Sequence, residues 1–323
     1  MTKNWLATGA LALTMGMSAT ASYAQTTTIP GEQVGLATGA PLPEGIYALN
    51  TFVYQSRDNS ALDVGINIPV LVWSTPLVPL GGRIELLVAP PTVFAFGNRG
   101  GATGLRDLSI NVGTFVGGIW AFDLGNNFGV SLLGGVYLNE LNGDRGVLVQ
   151  NNGVVASTAV LPQLSSNTYR FGVAGSYTGD GYNLTANLTA NIYDSPSSFG
   201  GGRDPSRPGF STVYSLSDSL NLDLTATKKF GKFEIGAIAY GTVNFDTGAK
   251  AAGIINAALN DRGRFLMGGL VGYDFGFATA QVYVARTVAT TSFDSTEISG
   301  RLIVPLYSPT PVAAAPAPII RKY

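Results

Sequence analysis

Cysteine and histidine are both absent from the 323 residues. Without a thiol the chain forms no disulfide and carries no lipid on an N-terminal cysteine. Without an imidazole, Ser–His hydrolysis and most zinc or haem sites are excluded. Charge is sparse as well. Asp, Glu, Lys and Arg make up 12% of residues, against about 25% in an ordinary soluble domain, and mean hydropathy is +0.23. A soluble surface needs more charge than this to stay hydrated. The 19 basic and 20 acidic residues nearly cancel, which leaves no field to attract nucleic acid. Long apolar runs are missing too: past the first two dozen residues no uninterrupted apolar stretch reaches the ~18 residues of a membrane-spanning helix. The most apolar internal run, Val64 to Leu80, contains Pro69, Pro76 and Pro79, which break a helix but fit two strands and a turn.

What is present begins with a targeting signal. Lys3, the apolar stretch Trp5 to Met17 and Ser22-Tyr-Ala24 follow one another in the order of a secretory signal, predicting a signal peptide over 1–24 and a mature chain from Gln25. Residues 25–43, rich in Thr, Gly and Pro, have no strand pattern and read as a periplasmic arm or a plug inside a lumen. From Gly45 a two-residue period sets in and persists to Tyr307. Residues 308–323 form a Pro/Ala-rich segment of polyproline character.

The period predicts twelve strands, at 45–57, 61–74, 82–95, 106–122, 127–139, 167–178, 181–194, 213–228, 232–246, 263–275, 277–290 and 296–307. In the second, Val64, Ile66, Ile68, Val70 and Val72 oppose Asp63, Gly65 and Asn67; in the fourth, Leu108, Ile110, Val112 and Val116 oppose Asp107, Ser109 and Asn111. In the seventh, Tyr182, Leu184, Ala186, Leu188 and Ile192 oppose Asn183, Thr185, Asn187, Thr189 and Asn191; in the eighth, Leu220, Leu222 and Leu224 oppose Asn221, Asp223 and Thr225. Each strand therefore has one apolar and one polar face. Tight connections at Asp123-Leu-Gly-Asn126, Thr178-Gly-Asp-Gly181, Lys228-Lys-Phe-Gly-Lys232 and Asp274-Phe-Gly-Phe277 alternate with long ones at 96–105, 140–166, 195–212 and 247–262. Ser74 to Gly81 departs from this scheme as a longer, Pro-rich connection on the tight-turn edge.

Alternation does not say which face is outside. A soluble lipocalin-like barrel turns its apolar face inward. Here the polar face consists mainly of Asn, Thr, Ser and Gly, which suits a water-filled lumen better than a soluble exterior. Aromatic residues flank the tight turns: Trp120, Phe122 and Phe128, Tyr177 and Tyr182, Phe230 and Phe233, Phe275 and Phe277. A belt of rings at one level is what a membrane interface selects. The expected fold is an all-β, closed up-and-down antiparallel transmembrane β-barrel of twelve strands over 44–307, in the outer membrane of a Gram-negative bacterium. In hydrocarbon an unpaired strand edge is too costly, so the first strand must meet the last.

Four short pieces, Leu42-Pro-Glu-Gly-Ile-Tyr47, Gly104-Leu-Arg-Asp-Leu108, Asn244-Phe-Asp-Thr-Gly248 and Arg301-Leu-Ile-Val-Pro-Leu306, resemble the family described as MetA-pathway of phenol degradation. The similarity spans about residues 42–307. Its members are transporter-like outer-membrane barrels, and the resemblance implies uptake of aromatic or other hydrophobic compounds. It carries no catalytic residues over.

Carboxylates on polar faces, Asp63, Glu85, Asp107, Asp223, Glu234 and Asp274, are expected to pair inside the barrel with Arg83, Arg106, Arg170, Arg286 or Arg301, and no catalytic role is assigned. The lumen is expected to be lined by Asn67, Asn111, Arg170, Asn183, Asn187, Asn191, Asn221, Asp223, Glu234, Tyr240, Asn244, Gln281 and Tyr283. Neutral amides and phenols bind and release small solutes without trapping an ion. The function expected is a passive channel for small molecules; the alternative is a non-transporting structural or surface-binding barrel. Expected partners are outer-membrane lipid and lipopolysaccharide, the outer-membrane assembly machinery and a small-molecule solute, with no nucleic acid, cofactor or metal.

Overall fold

The computed structural model is a single antiparallel sheet wound into a closed barrel; it describes residues 29–58, 62–97, 105–111, 113–138, 144–149, 155–156, 168–193, 218–245, 263–290 and 294–309. The expected signal peptide, the first residues of the arm, most of the long connections and most of the C-terminal segment lie outside these. The strands are β1 (Gly45–Arg57), β2 (Leu62–Ser74), β3 (Gly82–Ala89), β4 (Thr92–Gly97), β5 (Leu105–Asn111), β6 (Thr114–Gly125), β7 (Phe128–Leu138), β8 (Asp144–Val149), β9 (Val155–Ala156), β10 (Thr168–Tyr177), β11 (Tyr182–Tyr193), β12 (Ser219–Phe230), β13 (Phe233–Asn244), β14 (Gly263–Asp274), β15 (Thr279–Thr290) and β16 (Ser295–Tyr307).

These segments make twelve staves. β3 and β4 are one stave, interrupted at Pro90-Pro91, whose missing N–H groups break the ladder. β5 and β6 are the next. Thr92 pairs with Asn111 whereas Ala89 pairs with Phe115, so this stave has one extra residue between Asn111 and Phe115, where Gly113 has φ 109°. β8 and β9 stand outside the count: β8 pairs with β5, while β7 pairs with β10. Closure is complete along the seam, where β1 pairs with β16 from Ile46 opposite Tyr307 to Arg57 opposite Ser295. Among the described residues no helix is long and apolar enough to cross a membrane.

The tight turns form for local reasons. Asn126 and Asn127 both have positive φ, 52° and 65°, the left-handed conformation that a two-residue hairpin needs and that Asn tolerates. At the β14–β15 turn the Asp274 carboxylate accepts the Gly276 N–H at 2.7 Å. Around these turns the rings touch: Trp120 with Phe122 at 4.7 Å, Phe128 with Tyr177 and Phe233 with Tyr273 at 4.8 Å between centroids. Phe230, Phe233, Phe275 and Phe277 are exposed on the outside.

β11 and β12 carry their faces as the alternation predicts. Thr185, Asn187, Thr189, Asn191, Asn221, Asp223 and Thr225 are buried inside, whereas Leu184, Leu188 and Ile192 are exposed outside. β2 is reversed. Val64 and Ile66 are fully buried and cluster with Ile29, Val53 and Ile68 inside the barrel, while Leu71 and Trp73 are 45% and 49% exposed. Asp63 and Asn67 therefore face outward: Asn67 is paired with Phe52, an exposed outer residue, and Asp63 accepts the Tyr54 hydroxyl at 2.6 Å. The expected β2 orientation fails because this inner wall meets another apolar surface and not water. The fourth stave changes face along its length. Ile110 is paired with the inner residue Val93, yet Val116 is exposed outside, because the one extra residue between Asn111 and Phe115 shifts the parity. Arg286, expected within, is also outside, where it pairs with Asp58 at 2.8 Å.

Candidate functional site

The barrel interior is occupied by the chain's own residues 29–43. The segment enters beside β2 and β3, where the Leu42 N–H donates to Glu85 Oε1 at 2.7 Å and the Ser74 hydroxyl donates to the Leu42 carbonyl. It then crosses to β7 and β10, passes along β11, β12 and β15, and ends with Ile29 against Val53, Ile66 and Ile68 of β1 and β2.

Three glycines let this segment lie against the wall. Gly31 donates its N–H to Asp223 Oδ1 at 2.8 Å, Gly35 to Thr225 Oγ1 at 2.8 Å and Gly39 to Ser176 Oγ at 2.9 Å. A Cβ at Gly31 would lie 2.8 Å from the Tyr240 ring, and one at Gly39 would lie 2.5 Å from the Ser176 nitrogen. Only a residue without a side chain permits so close an approach. The four-residue spacing of Gly31, Gly35 and Gly39 is the sequence signal for docking, and periodicity arguments about strands pass over it.

Six of the thirteen residues expected to line an aqueous lumen instead bond this segment. Asn183 and Gln281 donate to the Gly35 carbonyl at 3.2 and 3.1 Å, Asn187 donates to Gln33 Oε1 at 2.6 Å, and Tyr283 donates to the Gly31 carbonyl at 3.2 Å. Asp223 accepts both the Gly31 and Gln33 N–H groups. Glu234 accepts Thr227 Oγ1 at 2.5 Å and Gln281 Nε2 at 3.1 Å. Arg170 forms an ion pair with Glu32 of the segment, and their side chains are 4% and 9% exposed. Arg301 donates to the Val34 carbonyl and, at 2.9 Å, to Thr51.

Nearer the long connections lies a second buried polar layer. Arg264 pairs with Glu297 at 2.9 Å, Tyr240 donates to the same carboxylate at 2.7 Å, and Gln55 donates to it at 2.9 Å. Asn191 donates to Ser219 Oγ at 3.3 Å, and Asn221 is buried beside it on the same inner face. For Asn111 and Asn244 the backbone alone is described; Asn67, as shown above, faces outward. Glu32, Glu297, Arg264 and Gln55 were not singled out by sequence reasoning, because long-range pairs between staves leave no mark on local spacing.

The inner wall is mixed. β10–β12, β15 and β16 present amides, hydroxyls and charges, β2, β3, β6 and β7 present Ile66, Ile68, Leu87, Phe115, Leu133 and Tyr137, and β13 and β14 present Ile238, Leu266 and Leu270 against Val34. Phe115 and Tyr137 lie 4.8 Å apart, and the Arg170 guanidinium sits 5.5 Å from the Phe115 ring and donates to the Tyr137 hydroxyl at 3.1 Å. An apolar wall facing a cation over an aromatic ring is suited chemically to a flat, largely apolar solute.

A closed antiparallel barrel with an apolar exterior and an aromatic ring belt is the architecture of outer-membrane barrels. Comparison with solved structures agrees on the fold. The chain is similar to the COG4313 outer membrane channel from Pseudomonas putida F1, with 14% identity, a TM-score of 0.58, and coverage of 82% of this chain and 97% of that one. Matches to the transport unit of the autotransporter AIDA-I from Escherichia coli, with 13% identity, a TM-score of 0.49 and coverage of 91% and 97%, and to the beta domain of the Bordetella autotransporter Brka, with 13% identity, a TM-score of 0.47 and coverage of 82% and 100%, are looser and carry no argument. No protein-family model and no curated protein sequence matches the chain, so the resemblance to the MetA-pathway family finds no matching model.

Proposed function

We propose that the protein is an outer-membrane channel for passive uptake of small, largely apolar or aromatic solutes, gated by residues 29–43. The exterior supports membrane placement: Leu71, Trp73, Val173, Val271 and Val282 are exposed around the wall, a surface whose solvation by lipid is favourable and by water is not. By the same convention the tight turns face the periplasm and the long connections the outside. The observation that carries the solute class is the apolar inner wall with Phe115 and Tyr137 beside Arg170. A channel for sugars or ions has no use for Ile66, Ile68 and Leu87 on its inner face. This is the transport role that the resemblance to the MetA-pathway family implies.

The docked segment also favours a second reading, a filled barrel that transports nothing and serves the envelope or a surface partner. Its ion pair and its backbone bonds to β2, β3, β7, β10, β11, β12, β15 and β16 make it a well-held filling. Liposome swelling with purified protein separates the two. Deletion of 25–43 is expected to raise conductance in planar bilayers and to admit aromatic solutes in preference to sugars of equal size. Unchanged conductance rejects the gate, and equal sugar entry rejects the solute class.

A further inference from the structure

Among the described residues the outer wall carries a depression on β10–β14. Two adjacent rows of the sheet create it. In one, Leu184, Ala226, Ala237 and Gly269 are successive neighbours; in the other, Ala186, Leu224, Ala239 and Met267 are. Small residues form the floor, and Leu184, Met267, Tyr177 and Phe128 stand up around it. The cavity has a volume of about 810 Å³ and an almost wholly apolar lining, within the ~300–1,000 Å³ of sites that hold small organic ligands.

The next row toward the tight turns reads Tyr182, Lys228, Ile235 and Val271. Lys228 is thus the outward residue following Ala226 on β12, ~7 Å along the strand. Its ammonium donates to the Tyr182 hydroxyl at 3.0 Å and lies 4.2 Å from the Tyr182 ring centroid. Lys229 and Lys232 are exposed at the same turn; Lys229 is paired with the inward Glu234 and so lies on the lumen side of the wall, which leaves Lys228 as the cation of this row on the outer face. The exposed Asp180 on the neighbouring turn offsets one of these charges.

We propose that this depression with Lys228 at its end is a glycerophospholipid site, the acyl chain lying over Ala226 and Ala237 and the headgroup phosphate held at Lys228. The inference rests on the membrane placement proposed above and goes beyond it. An apolar trough ending in the Lys228 ammonium at the level of the ring belt matches one molecule that is apolar along its length and anionic at one end.

Native mass spectrometry of the full-length protein, released from vesicles and exposed to phosphatidylglycerol or to diacylglycerol, tests it. One phosphatidylglycerol is expected to stay bound, with diacylglycerol lost. Lys228→Gln is expected to reduce retention about five-fold, the factor for ~1 kcal/mol per interfacial lysine, and Ala226→Phe to abolish it by filling the trough. Equal retention of both lipids, or retention unchanged in both variants, overturns the proposal. So does a dimer that Ala226→Phe dissolves, since a second copy would then cover the trough. Flotation with vesicles at alkaline pH is measured first: protein that fails to float sinks the membrane placement, whereas protein that floats but retains no phosphatidylglycerol sinks only the lipid site.

Discussion

Replacing Glu32 by Gln removes one charge from the buried Arg170–Glu32 pair while keeping the shape. The Arg170 side chain is 4% exposed, and its other described side-chain contacts include the neutral Tyr137 hydroxyl and the Phe115 ring. Removing one partner from a buried ion pair costs about 3–5 kcal/mol. In this fold that cost falls on the docked state alone, because an undocked segment leaves Glu32 in water. At 1.4 kcal/mol per factor of ten, even the lower value shifts docking about 10²-fold. The absence of native cysteine gives a clean assay. Val34 is fully buried beneath the segment's bonds, so Val34→Cys places the sole thiol where a maleimide reaches it only after undocking. When opening and reclosing are fast relative to labelling, the rate follows the undocked population. Glu32→Gln in this background is expected to speed labelling by about two orders of magnitude. Adding Arg170→Met is expected to recover much of the loss, because the pair then leaves no buried charge behind. A labelling rate within about three-fold of the parent would refute the account of how the segment is held.

Other consequences are measurable. Gly39→Ala puts a methyl group 2.5 Å from the Ser176 nitrogen, and is expected to raise Val34→Cys labelling although it changes no charge. Trp73, outward and 49% exposed, is expected to be quenched by brominated acyl chains in a Trp120→Phe background, whereas Ile68→Trp in a background lacking Trp73 and Trp120 is not; quenching at position 68 and none at 73 would reverse the orientation found for β2. Asn127→Val forces a β-branched residue into φ 65° and is expected to cost about 1–2 kcal/mol. Denaturant unfolding of the folded barrel in detergent would show it, and no shift in midpoint would exclude strain at that turn.

The strands were largely legible because a wall one residue thick, with different solvents on its two sides, writes a two-residue period into every stave. β11 and β12 show this plainly. The period fails where the two sides are alike. β2 has apolar surroundings on both faces, lipid-suited outside and Ile29 with Val93 inside, so its pattern carries no information about direction. The fourth stave fails for another reason: one extra residue between Asn111 and Phe115, in the stretch opposite Pro90-Pro91, moves the whole pattern by one, and nothing in the alternation before it announces the shift. Of the lumen residues, Asn183, Asn187, Asp223, Gln281 and Tyr283 were found by facing, but the partner they face was not. Facing identifies which side chains turn inward; it does not reveal that residues 29–43 return to meet them. That information lay in Gly31, Gly35 and Gly39, as a request for close approach with no partner specified.

The docked segment takes its partners from the first staves and the last: Glu85 on β3, Asp223 on β12, Gln281 on β15, Arg301 on β16. No half-assembled wall offers all of them together. Correct seating of this N-terminal stretch therefore doubles as an inspection of the finished cylinder, since an unsealed seam between β1 and β16 would leave the entering peptide without the floor on which it is meant to rest.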